Sequence, residues 1–159
     1  MPSIHNESSQ RRELNFKTVQ EAAGDKNYEY EPGKGLYPRY SNEGLPEDFV
    51  IKKIPDLSLT YRDIKKVEIQ RAPAYPSSLS AYTVRIHLWK ESAERMRIFS
   101  AKHLDKRVAM EIDGKIFKIA TIIDIMSDEV LVTIARSSLS EIEKEFKKVT
   151  DNIRIKESK

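Results

Sequence analysis

Three histidines, His5, His87 and His103, are the side chains best suited to proton transfer or metal ligation near neutral pH. They stand far apart, and none belongs to a His-x-x-x-His or Glu-x-x-His pair, spacings that place two ligands on one helix face. His87 falls on the polar side of an alternating run. His103 ends a helical one, where an imidazolium meets the negative end of the dipole. Both read as structural. The chain has no cysteine, which removes disulfides, thiolate zinc sites and cysteine nucleophiles together. Asp113 and Asp124 are the nearest thing to an acid–base pair. Asp113 belongs to a turn from which Asp124 diverges, and acid–base catalysis needs converging groups. Gly33-Lys34-Gly35 lacks the spacing of a phosphate loop and no strand precedes it. Ser137, Ser138 and Ser140 read as helix caps, with no partner base in view. Trp89 reads as a core residue at a strand–helix junction. No catalytic, metal or cofactor site is expected, and the chain reads as a non-catalytic binding or scaffolding module.

The elements that would position these side chains centre on Val108 to Ala135. Val108, Met110 and Ile112 alternate with Ala109 and Glu111, the period of a half-buried strand. Asp113-Gly114 then signals a type I′ hairpin turn. Phe117, Ile119, Thr121, Ile123 and Ile125 continue the period, Ser127-Asp128 breaks it, and Val130, Val132 and Ile134 form a third run. The expectation is an antiparallel meander. Upstream, Phe49–Ile54 and Val67–Arg71 are strand candidates, and Tyr82, Val84, Ile86 and Leu88 form an amphipathic strand. Thr60 with Asp63 has capping-box spacing and predicts a short helix. Ala72 to Ala81, with Pro73 and Pro76, predicts a hairpin loop. Trp89, Ala93, Met96 and Ser100 recur at helical spacing up to Leu104. Ser138-x-x-Glu141 is a second capping box, opening a helix with Leu139, Ile142, Phe146 and Val149 on one stripe. The fold class is therefore α+β: an antiparallel sheet of about five strands with two main helices packed on one face.

The chain has 159 residues, enough for one domain with a real core. No apolar run approaches the length of a membrane span. The first residues lack an apolar signal core, which leaves a cytosolic protein or one whose leader has been removed. Its 28 lysines and arginines are nearly balanced by 25 acids, and the basic pairs are scattered, so no nucleic-acid role is expected. Residues 1–48 carry little periodicity and many glycines and prolines. They read as an irregular N-terminal arm ahead of a domain over 49–152 and a charged, fraying tail over 153–159. The arm holds Tyr28, Tyr30, Tyr37 and Tyr40. Either it lies across its own domain, or these four tyrosines dock on a protein partner, since tyrosine buries area yet keeps a polar tip.

From about Val50 to Val149 the chain resembles the head subdomain of the first large periplasmic domain of SecD, a protein-export membrane subunit. Thr60-Tyr61-Arg62-Asp63-Ile64 is similar to that family's Leu-Thr-Gly-x-Asp-Ile-like segment. Val84-Arg85-Ile86-His87-Leu88 is similar to its strand before the helix. Val108 to Ile116 is similar to its Leu-Ala-Ile-x-x-Asp-Gly-x-Val motif, and Ser138 to Ile142 to the start of its last helix. Asp105 stands where the family has a glycine, Ala120 or Thr121 where it has a proline, and Ser127-Asp128 replaces a glycine-containing loop. The resemblance implies a non-catalytic, extracytoplasmic protein-binding domain linked to protein export, whose partner is a preprotein. A structural adaptor of a cell-envelope assembly, docking through the arm, is the alternative. The export activity itself resides in membrane segments absent from this sequence and is not carried over.

Overall fold

Alternation of apolar and polar residues builds two sheets, and two strands from the N-terminal stretch join the larger. The computed structural model describes residues 11–20, 28–30, 50–52, 54–72, 81–135 and 137–156. Among them the strands are β1 (Leu14–Gln20), β2 (Tyr28–Tyr30), β3 (Val50–Lys52), β4 (Leu57–Leu59), β5 (Ile64–Arg71) and β6 (Ala81–Leu88). Helix α1 (Lys90–Lys102), strands β7 (Arg107–Ile112), β8 (Lys115–Thr121) and β9 (Glu129–Ala135), helix α2 (Leu139–Lys147) and strand β10 (Ile153–Lys156) follow. The molecule is α+β, as expected. The larger sheet is antiparallel and runs β2-β3-β1-β7-β8, with β4 also paired to β1. The second sheet runs β10-β5-β6-β9, with β10 parallel to β5.

Strand β1 corrects the reading of residues 1–48 as an irregular arm. Its residues 14–18 pair with β7, while on its other edge residues 14–16 pair with β4 and residues 19–20 with β3. The alternation is short but real. Leu14 and Phe16 are fully buried, whereas Asn15 and Lys17 point to the opposite side, where they bond to Glu111 at 3.2 and 2.9 Å. Tyr28 and Tyr30 belong to β2; Tyr37 and Tyr40 lie outside the described residues.

One core serves both sheets and both helices. Phe16 and Met110 from the larger sheet, Val67 and Ile86 from the smaller, Met96 from α1 and Ile142 from α2 belong to it. Ring contacts tie each helix to the larger sheet: Phe99 of α1 on Phe16 at 5.6 Å, and Phe146 of α2 on Phe117 at 5.1 Å. Such pairs add about 0.5–1.5 kcal/mol beyond area burial. A smaller cluster of Val19, Ile51, Ala109 and Ile116 covers the other side of the larger sheet, so β7 is buried on both faces.

Four local expectations change. The third run of the supposed meander, β9, pairs with β6 in the other sheet rather than with β8. Thr60 and Asp63 do make a box, with Thr60 N–H donating to Asp63 at 2.7 Å, but it closes a turn. No helix follows because Ile64, Val67 and Ile69 are needed in the core as strand residues. The stretch read as a fraying tail over 153–159 forms β10 over Ile153–Lys156. It is captured by the open edge of β5, with Ile153 packed on the core. Trp89 is not core: it caps α1 and is 51% exposed.

Two expectations stand on explicit geometry. Ser138 and Glu141 form the reciprocal capping box of α2. The β7–β8 turn has φ of 52° at Asp113 and 81° at Gly114, the pair of positive values a type I′ turn requires. Asp105, where the resembling family has glycine, also lies at φ 67°, the left-handed region that Asp tolerates better than most side chains. A Cβ at Gly114 would meet nothing within 4 Å, so a substitution there costs backbone strain alone. We expect Gly114→Val to lose about 1–3 kcal/mol, read as a lowered denaturation midpoint. An unchanged midpoint would contradict the turn type.

Candidate functional site

The divergence of β8 and β9 creates the most distinctive surface of the molecule. Among the described residues β8 is an outer strand of the larger sheet and β9 an outer strand of the smaller. Their connection, residues 122–128, is pinned rather than looped out. Ile122 donates to the Lys106 carbonyl at 3.0 Å and accepts from Asp105 N–H at 2.7 Å. Met126 N–H donates to the Ser100 hydroxyl at 2.8 Å, and that hydroxyl lies 2.8 Å from the Met96 carbonyl of its own helix. The Asp128 carbonyl accepts from Leu88 N–H at 2.8 Å. Ile122 and Met126 turn inward at the pins, and the isoleucines between them stay outside. Ile123 is 78% and Ile125 53% exposed, and Leu131 on β9 is 50% exposed.

These residues line a cleft of about 510 Å³ whose floor is Phe16, Val108 and Met110. Its charged lining residues are Asp124, Asp128 and Glu129; none is basic. The site can therefore take an apolar, extended ligand between two strand edges, with Asp124 and Asp128 at the rim for a cation. Exposed neighbouring isoleucines mean more than scattered ones, because contiguous apolar surface marks contact sites. In the sequence Ile123 and Ile125 pass for a continuation of β8. Their signal is the run itself, which carries the apolar alternation of Phe117 and Ile119 four residues beyond Thr121, where β8 ends, with no glycine or proline before Ser127.

The outer face of the smaller sheet carries a second polar group. His87 Nε2 lies 2.7 Å from Glu68 Oε1, with Lys156 and Lys66 at 3.2 and 3.7 Å from the other oxygen. His87 Nδ1 is 3.9 Å from Glu129, which also binds Arg85 at 2.7 Å. The hydrogen bond from His87, aided by Lys156 and Lys66 and opposed by burial, holds the Glu68 carboxyl down to about 2. His103 is buried, with Nδ1 2.8 Å from the Phe99 carbonyl and Nε2 3.9 Å from Asp56. His5 lies outside the described residues. The structure does not bring the three histidines together. Asp113, paired with Arg12 at 3.2 Å, and Asp124 lie beyond opposite ends of β8. Among the described residues, Tyr28 and Tyr30 lie in the strand at the far edge of the larger sheet, opposite β8.

No family model matches the chain, and no curated protein matches it. Among solved structures, its fold is similar to SecDF described as a membrane component that enhances protein export, with 18% identity and a TM-score of 0.49 over 92% of this chain. It is also similar to SecDF in a super-membrane-facing form, with 17% identity and a TM-score of 0.47 over 91% of this chain. The chain spans 64% of the first of these chains and 20% of the second. Among the described residues no helix is long and apolar enough to cross a membrane.

Glu68 yields a test. Its carboxyl is depressed from 4.5 to about 2, so its contribution to stability is fully present above pH 4.5 and fades as the pH falls toward 2. Glu68→Gln should be less stable than the parent at neutral pH, with the gap closing across that interval. Urea denaturation midpoints against pH check it, and a gap that persists through acid would remove the ion cluster as its cause.

Proposed function

We propose that this chain is a non-catalytic, extracytoplasmic protein-binding domain in protein export that receives an extended polypeptide segment in the cleft between β8 and β9. The observation that carries the reading is the cleft itself. Among the described residues β8 and β9 are outer strands whose backbones can offer donors and acceptors to an added strand, and exposed Ile123, Ile125 and Leu131 offer it apolar contact. The motif resemblance to the SecD head supports the compartment and the export partner. The non-catalytic part of the reading is supported by how the chemistry-bearing side chains are used. His87 is held by Glu68, His103 by the Phe99 carbonyl, and Asp56 by Thr18 and Lys52.

An adaptor that docks through the N-terminal tyrosines is a second reading, favoured by one observation. Among the described residues Tyr28–Tyr30 is the outermost strand of the larger sheet, where a neighbouring subunit can add to the edge. Deleting the N-terminal stretch cannot test it, because that also removes β1 from the larger sheet.

Covering one isoleucine with ligand is worth on the order of 1.5 kcal/mol, about tenfold in affinity. We expect short labelled peptides alternating leucine or valine with lysine to raise fluorescence anisotropy on binding. Ile123→Glu and Ile125→Glu should each weaken binding roughly tenfold without lowering the melting temperature. Alanine at Tyr28, Tyr30, Tyr37 and Tyr40 should leave it unchanged. If the glutamate variants fold and bind as the parent does, the cleft is not the site. If the tyrosine variants alone lose a captured envelope subunit, the adaptor reading replaces this one.

A further inference from the structure

A second surface uses residues that the cleft does not. Trp89 is the only tryptophan of the chain, and it stands half exposed where β6 turns into α1. Its backbone is fixed by a hydrogen bond from Trp89 N–H to the Asp63 carbonyl at 3.1 Å. The Lys65 ammonium lies 5.3 Å from the centroid of its ring. Arg62 and Lys90 share with Trp89 the walls of a shallow hollow of about 450 Å³. Arg62 also lies 5.6 Å from the ring centroid of Tyr61, and Arg11 is 5.9 Å from the same ring on its own side.

The charge here is unbalanced. Lys65, Lys90 and Arg62 are exposed, and none forms an ion pair among the described residues. The nearby Asp63 is already engaged by Thr60 N–H, Ser92 and Arg95, at 2.7, 2.7 and 3.0 Å. Glu91 is the remaining acid in the lining. A solvent-exposed indole is out of place in water, and the three cations around it have no carboxylate partner among the described residues, Arg62 donating instead to the Tyr61 hydroxyl at 3.2 Å. The two features make sense together at a lipid–water boundary. There the amphipathic indole sits at headgroup depth while flexible cationic side chains reach the phosphates.

We propose that the Trp89 patch, with Lys65, Lys90 and Arg62, docks this domain on an anionic phospholipid surface. The partner is chosen by charge complementarity: anionic headgroups for the cations and the interfacial layer for the ring. The patch also adjoins the cleft. Leu88, the residue before Trp89, donates to the Asp128 carbonyl at the cleft's rim, so docking brings that end of the cleft toward the bilayer.

The lone tryptophan is its own reporter. The full chain is titrated with vesicles of phosphatidylcholine alone and of phosphatidylcholine with phosphatidylglycerol, reading the Trp89 emission maximum and acrylamide quenching. We expect a blue shift and protection from quencher with the anionic vesicles only, both reversed by salt. Lys65→Gln and Lys90→Gln should each lower vesicle partitioning roughly fivefold, with the thermal melt unchanged. No shift on anionic vesicles at low salt, or an equal shift on neutral ones, overturns the proposal. So does unchanged partitioning of the folded double glutamine variant. The same shift with soluble glycerol phosphate would assign the patch to a free phosphate ligand, and with polyglutamate to an acidic protein; either would overturn the membrane reading.

Discussion

The pairing of β1 with β7 is the constraint on which the rest depends. β1 is the strand that joins β3 and β4 to the β7–β8 hairpin, and its residues 14 and 16 are fully buried. Phe16 takes part in two arrangements at once. Its ring meets that of Phe99 at a tilt of 56°, which seats the helix, and it floors the cleft. A segment of seven residues therefore decides whether the larger sheet closes, where α1 sits and what the candidate ligand would touch. Its polar side is equally committed, since Asn15 also accepts from Ser58 of β4 at 2.6 Å while it and Lys17 satisfy the buried Glu111. A buried carboxylate without such partners would cost several kcal/mol, so the register of β1 is specified by charge as well as by hydrophobicity.

The second constraint is that consecutive strands β8 and β9 part company. A meander would have joined them by a short turn and consumed both edges. Instead Ile122, Met126 and Asp128 are each bonded to a different neighbour, the α1–β7 corner, α1 and β6. The connection spans the gap between sheets as a strap. Ile123 and Ile125, two residues apart between the pins at Ile122 and Met126, are left exposed and line the cleft.

Legibility in the sequence followed how local the determining interaction is. The Asp113-Gly114 turn, the Ser138–Glu141 box, the α1 and α2 stripes and the β6 alternation are decided within a few residues, and all were readable. β1 was not, because Leu14 and Phe16 provide only two buried positions in a polar stretch and their partner is some ninety residues away in β7, at Met110 and Ile112. β10 failed to register for the same reason, its edge being offered by β5. The Thr60–Asp63 box shows the opposite case, a local signal that was real but was overridden by the core's demand for Ile64 as a strand residue. The cleft was invisible because it depends on which sheet β9 joins, and periodicity carries no information on strand partners.

Charge segregation separates the two surfaces physically. The near-neutral total of +3 conceals an acidic, apolar cleft and a basic, aromatic patch that meet near Leu88 and Asp128. Apolar burial is insensitive to moderate salt, whereas attraction to a charged surface is screened over about 10 Å at 0.1 M. Occupancy of the cleft should therefore survive ionic strengths that strip the patch from a membrane. A segment bearing a cation at the Asp128 end would lower the field opposing an anionic surface there, so the two forms of binding would reinforce each other at low salt and act independently at high salt.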